Sequence, residues 1–182
     1  MIKRLQREET ILLIVDVQER LIPAIHEGEQ VARSCSVLTQ AAQTLDIPLI
    51  ITEQYPEKLG ATVPEIRGVL HQYQPISKKQ FSSCTPEMMD LLKSTFERRK
   101  ILLCGVEAHV CVQQTALDLL ANDFDVFVAR DAISSRTIAN AEIGWQRIIG
   151  AGAIPVSVES ALFELLQTAD HPQFKAVHQL IK

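Results

Sequence analysis

The chain has only four cysteines in 182 residues, Cys35, Cys84, Cys104 and Cys111, with no CxxC pair and no zinc-ligand spacing. That excludes a disulfide framework and a thiolate metal site, and it leaves reduced thiols, most of them expected as small core hydrophobes. Glycine is also scarce, at seven residues. No GxGxxG follows the first apolar run, where Asp16-Val-Gln-Glu stands instead, and no GxxxxGK[ST] occurs anywhere, so nucleotide binding is disfavoured. The five histidines make no HxH or HExxH pattern. No apolar stretch reaches about 18 residues, so no membrane span and no membrane partner are expected. Basic residues cluster no further than Arg98-Arg99-Lys100 in a chain of net charge −4, which argues against a nucleic-acid partner. The charged N-terminus runs straight into an apolar segment with no leader-like region, and a cytoplasmic location is expected.

What is present is an ordinary globular composition, 47% hydrophobic and 22% charged, of a size for one domain over residues 1–182. Such a chain can bury roughly 70% of its unfolded surface. Short apolar runs at Ile11–Val15, Pro48–Thr52, Ile101–Cys104, Val126–Ala129 and Ile154–Val158 read as strands buried on both faces, hence parallel. Gln74–Ser77 is a weaker sixth, and its proline suggests an edge. Helical spacing marks Gly28–Leu45, a segment capped by Thr85 with Pro86 at its first position, Val110–Asn122, Thr137–Gly150, Ser160–Thr168 and Pro172–Lys182. Alternating strands and helices call for a doubly wound α/β sheet with right-handed crossovers. Glu53–Tyr73 reads as the longest irregular segment, too long for a mere connection.

In such a sheet a ligand crevice lies past the carboxyl ends of the strands, where the strand order reverses. Asp16 ends the first apolar run, Lys78 follows the edge candidate, and Cys111 follows the Gly105 loop and opens a helix. A cysteine at a helix start sits among unpaired N–H groups and the positive end of the dipole, which favour thiolate. Each residue also has a plainer reading: a loop cap for Asp16, a surface charge for Lys78, a buried thiol for Cys111. Their joint placement on carboxyl-end loops favours the site. His109 is a rival base, but a two-residue helical offset turns it roughly 200° from Cys111.

With these residues in hand, the chain resembles the isochorismatase-like cysteine hydrolase family from Ile11 to Lys182. The similarity lies in Ile14-Val-Asp-Val-Gln18, Thr52-Glu-Gln-Tyr-Pro56, Lys78-Lys-Gln-Phe-Ser82, Gly105-Val-Glu-Ala-His-Val-Cys111, Asp131-Ala-Ile-Ser-Ser-Arg136 and His171-Pro-Gln-Phe-Lys175. The TEQYP stretch and the last three resemble the branch of isochorismatase-domain-containing proteins.

The resemblance implies a three-layer α/β/α Rossmann-like fold with a six-stranded parallel sheet, order 3-2-1-4-5-6. It implies Asp16 as general base, Lys78 as the triad lysine and Cys111 as nucleophile, with a cis peptide at Val106–Glu107 and an oxyanion hole from the N–H groups of Glu107 and Cys111. Gln18, Gln54, Tyr55 and Phe81 are the expected pocket residues. Isochorismatase proper cleaves a vinyl ether and lacks the cysteine, so Cys111 points instead to an amide-type C–N substrate and a thioester acyl-enzyme. Nicotinamidases carry an Asp-x-His metal motif where this chain has Glu53-Gln-Tyr-Pro56, so no metal is expected. No cofactor is expected either; the partners are a small-molecule substrate and further copies of the chain, as a dimer or larger. The other readings are a non-catalytic binding or scaffold protein that keeps the fold, and a ribonuclease, the latter at odds with the acidic charge.

Overall fold

The structure is a computed structural model that describes residues 2–94 and 98–182. Six strands form one parallel sheet: β1 (Thr10–Val15), β2 (Leu49–Gln54), β3 (Ile76–Lys78), β4 (Lys100–Val106), β5 (Asp125–Ser134) and β6 (Ile154–Val156). Their order is β3-β2-β1-β4-β5-β6, as the resemblance implies. The order reverses between β1 and β4, which pair from Thr10↔Lys100 to Val15↔Gly105.

Every residue of β1 and β4 is buried, which is what unbroken apolar runs demand of strands covered on both faces. Side chains alternate between the two faces. Leu12, Ile14, Leu102, Cys104 and Phe127 pack under α1 (Gly28–Thr44), α7 (Val158–Leu166) and α8 (Phe174–Gln179). Ile11, Leu13, Ile101, Leu103 and Val128 pack under α4 (Pro86–Ser94), α5 (Gln113–Ala121) and α6 (Ile138–Gly150).

Several boundaries differ from the sequence reading. The edge strand starts at Ile76, just past Pro75, because proline has no N–H for the ladder. β5 extends to Ser134, with a register shift opposite Leu103 and Gly105. α7 begins at Val158 and is capped by Ser157, not Ser160; the two serines form a reciprocal capping box, Ser160 being its third helical residue. Glu53–Tyr73 is only partly irregular: it holds the end of β2 and the one-turn helices α2 (Pro56–Leu59) and α3 (Pro64–Arg67). Glu53 organises it. Buried, it accepts at Oε1 from Thr62 N (2.6 Å), from Thr62 Oγ1 (2.8 Å) and from the Tyr73 hydroxyl.

The largest departure lies after β4. Residues Ala108–Val112 form a π-helical turn, and α5 proper starts at Gln113. Val112 N reaches back five residues to the Glu107 carbonyl (3.2 Å), which also accepts from Val110 N (3.0 Å). Cys111 therefore sits inside a widened turn, not at the first position of an α-helix.

Candidate active site

β1 ends at the switch point, and the next residue, Asp16, turns the chain with a left-handed φ of 52°. Aspartate tolerates this conformation better than most residues. The carboxylate is fully buried and held at both oxygens: Thr52 Oγ1 donates to Oδ1 (2.8 Å) and Lys78 Nζ donates to Oδ2 (2.6 Å). Lys78, the last residue of β3, lies opposite Gln54 in register, so its stem crosses the end of β2 to reach Asp16. Its ammonium is further satisfied by Gln54 Oε1 (2.8 Å) and the carbonyls of Gln80 (3.2 Å) and Phe81 (3.0 Å).

The neighbouring strand must come close here. Gly105 adopts φ 118°, and a Cβ on it would fall 2.0 Å from the Val15 carbonyl oxygen. Only glycine lets β4 pass the end of β1 at this point. The peptide that follows, Val106–Glu107, is cis. The π turn then brings Cys111 beside Asp16, whose charge and side-chain hydrogen bond both bear on the thiol.

Burial pushes the Cys111 thiol up to about 12, and the Asp16 charge beside it acts in the same direction. Lys78 pulls the other way but is outweighed. These shifts run against the resting thiolate expected of a helix start: burial and the Asp16 charge raise the thiol more than Lys78 lowers it. Asp16 is also raised, by burial first, with Lys78, Thr52 and Cys111 offsetting part of the effect. Both shifts run the same way, toward a protonated thiol and a more basic carboxyl group.

Of the expected pocket residues, Gln18 is fully buried and serves as a clamp. Its Nε2 donates to the carbonyls of Gln54 (3.1 Å) and Gly60 (2.7 Å), and its Oε1 accepts from Gln54 N (2.8 Å). That removes it from the ligand side. Gln54 holds Lys78 and spends its amide on the Lys79 carbonyl (2.8 Å). Tyr55 and Phe81 present their rings outward, with Lys79 Nζ 5.2 Å from the Tyr55 ring centroid. His109 faces away from the base, its Nδ1 2.9 Å from Ser135 Oγ. Glu107 is held by Arg136, Nε to Oε2 at 3.0 Å. Among the described residues, no group of three or more His, Cys, Asp or Glu side chains is disposed to hold a metal ion. Among the described residues, no helix is long and apolar enough to cross a membrane.

The hydroxyls were not legible beforehand. Thr52, Ser83 and Thr115 are buried around Asp16 and the start of α5. The one available signal was Thr52 closing the apolar run Pro48–Thr52; in the sheet its partner, Val15, immediately precedes Asp16.

Known proteins resemble the chain throughout this framework. The model of the isochorismatase domain matches residues 10–160. The secreted isochorismatase effector Isc1 of Phytophthora sojae is 39% identical, over 98% of this chain and 87% of that protein. Isochorismatase domain-containing protein 2 of Danio rerio is 37% identical, over 99% and 90%. A solved structure of MAR1 ribonuclease from Caenorhabditis elegans superposes with a TM-score of 0.93 at 38% identity, covering 98% of this chain and 92% of that one.

Proposed function

The chain belongs to the isochorismatase family and has its hydrolase fold, and from that premise we propose that it is a cysteine-dependent hydrolase of a small amide-type substrate. The observation that supports this most is the fully buried pair of Lys78 and Asp16, 2.6 Å apart, with the Cys111 thiol beside the carboxylate. A buried ion pair is a costly way to hold a strand edge together, and a carboxylate made more basic next to a thiol is what proton abstraction requires.

In the reaction, Asp16 takes the Cys111 proton as sulfur attacks the carbonyl carbon, and the carbonyl π electrons move to oxygen. The N–H groups of Glu107 and Cys111 receive that oxyanion; such a donor is worth about 3–4 kcal/mol in other hydrolases. The C–N bond then breaks, Asp16 gives its proton to the departing nitrogen, and a thioester remains on Cys111. Water attacks the thioester with Asp16 again as base, the C–S bond breaks, and the sulfur recovers its proton from Asp16. Lys78 keeps Asp16 anionic and fixed between the steps. Carboxylate and thiol titrate as a set in this scheme, not singly.

Incubation with a panel of small amides and an electrophilic probe, followed by mass spectrometry of the intact chain, tests the reading. An acyl or alkyl adduct at Cys111, absent in Cys111→Ala, is expected. Labelling that favours Cys84 or Cys35 instead would support an inert binding protein. Cytoplasmic residence and assembly into a dimer or larger belong to the same reading; light scattering on the purified chain measures the assembly.

The name of the Caenorhabditis elegans protein favours a second reading, RNA cleavage. A net charge of −4 supplies no electrostatic attraction for a polyanion. RNase activity that survives Cys111→Ala and co-purifies with the chain would nevertheless displace the amide reading.

A further inference from the structure

Three buried hydroxyls join the base to the nucleophile's helix by a route that bypasses both reacting atoms. Thr52 Oγ1 donates to Asp16 Oδ1 (2.8 Å) and stands 3.3 Å from Ser83 Oγ. A hydroxyl has one proton, and that of Thr52 goes to the carboxylate, so Ser83 is the donor to Thr52. The backbone N–H of Ser83 in turn donates to Thr115 Oγ1 (2.8 Å). Thr115 lies in the first turn of α5, four residues after Cys111, and Thr52, Ser83 and Thr115 are at most 1% exposed. The chain of bonds therefore runs from the end of β1 through β2 and the loop after β3 to α5.

We propose that Thr52, Ser83 and Thr115 are positioning residues that hold the Asp16 carboxylate and the Cys111 turn in register for proton transfer. The inference rests on the cysteine-hydrolase reading above. With Lys78 on Oδ2 and Thr52 on Oδ1, the carboxylate cannot rotate about its last torsion, and its remaining lone pairs keep one direction. Thr115 anchors the other half, fixing α5, and with it the π turn, to the loop that also supplies two carbonyls to Lys78. A misplacement of even an ångström between base and nucleophile is costly, which gives such a tether its value.

The test is alkylation of Cys111 by iodoacetamide in the full chain, followed by mass spectrometry across the pH range. In this step the S–C bond forms, iodide leaves, and the thiol proton passes to Asp16. The groups facing Asp16 are Lys78 from β3, Thr52 from β2 and Cys111 from the π turn, while the Glu107 charge bears on Cys111. Thr52→Val removes a hydrogen bond to the charged carboxylate, so the midpoint of the pH–rate profile should move up, and Thr52→Ser should restore it. The hydroxyl that Thr115→Val removes bonds to a backbone N–H and to no ionisable group. Its loss should lower the plateau rate about tenfold without moving the midpoint, and Thr115→Ser should restore it.

If Asp16→Asn changes the pH–rate profile while both valine variants, shown to be folded by thermal melts, match the parent, the positioning role is wrong and the hydrolase reading stands. If Asp16→Asn also leaves the profile unchanged, the hydrolase reading fails and this inference falls with it. Should a valine variant not fold, Ser83→Ala deletes the middle hydroxyl without added bulk. A changed profile supports the tether, and an unchanged one overturns it.

Discussion

Lys78 Nζ and Asp16 Oδ2 are 2.6 Å apart although a whole strand, β2, separates the strands that precede them. Neighbouring strands stand about 4.8 Å apart, so the two backbones are roughly 10 Å from each other and the lysine stem must bridge the difference. It does so by crossing the end of β2, where Gln54 Oε1 takes one ammonium proton on the way. The Asp16 carboxylate and the carbonyls of Gln80 and Phe81 share the remaining two, so protein acceptors surround the charge before substrate arrives. The pairing thus ties the sheet edge to the switch point.

Removing the lysine should therefore cost stability in a pH-dependent way. Lys78→Met leaves the Asp16 carboxylate buried without its cation, a loss of about 3–5 kcal/mol by analogy with other broken buried pairs. Asp16 is already raised in the folded chain, and this change raises it further. A group whose folded pKa exceeds its unfolded one contributes stability below the unfolded value and loses it as pH rises through the folded value. The deficit of Lys78→Met against the parent should be small in acid, where Asp16 takes up its proton, and should widen toward neutral pH. Urea titrations at several pH values measure this; a deficit independent of pH contradicts it.

Asp16→Asn should move two readouts in opposite directions. The Asp16 charge helps to push the Cys111 thiol up to about 12. Neutralising it should lower that thiol pKa and increase the ultraviolet thiolate signal in mild alkali. Amide turnover should nevertheless fall by about 10²–10⁴-fold at neutral pH, because the general base is gone. A variant in which thiolate and turnover rose together would make Cys111 an independently activated nucleophile.

Much of the fold was legible because β1 and β4 are unbroken apolar runs, and nothing but a doubly covered parallel strand suits such a run in a chain of this composition. The strand order followed from family likeness, since periodicity has no information on which strands pair. The proposed triad residues stood out as residue types at strand ends. The raised thiol was not legible, because it follows from burial and from the charge of Asp16, nearly a hundred residues upstream of Cys111. The π turn has no sequence signature either: it differs from an α-helical start by one hydrogen bond, Val112 N to the Glu107 carbonyl. Thr52 and Thr115 read as an ordinary strand and helix residue. Only folding shows that their hydroxyls point inward.

Tyr73→Phe tests the loop anchor. The Tyr73 hydroxyl bonds to Glu53 Oε1, and burial together with that carboxylate raises the phenol above its usual pKa. Losing one hydrogen bond to a charged group costs about 1.5–3 kcal/mol when the acceptor is left short, less here because Thr62 still donates to the same oxygen twice. Stability should drop modestly, and proteolysis should appear first within residues 55–75. Protection of that segment unchanged from the parent would mean that Thr62 alone holds it.

Gly144→Ala probes how the Cys111 turn is supported. Gly144 faces the π turn from α6, and a Cβ there would lie 2.6 Å from Ala108 C, Ala108 O and His109 N. These are backbone atoms, so no side chain can swing aside, and either α6 or the turn must shift. Helix propensity alone favours alanine over glycine by about 1 kcal/mol, whereas overpacking against fixed backbone costs about 1–3 kcal/mol, so a net loss is expected. The displaced element includes Cys111 three residues on, while Asp16 and Lys78 lie on other strands. Cys111 alkylation should therefore fall much further than the stability loss alone implies, with the Lys78–Asp16 pH signature intact. Equal, small changes in both would show that the turn yields without moving the thiol.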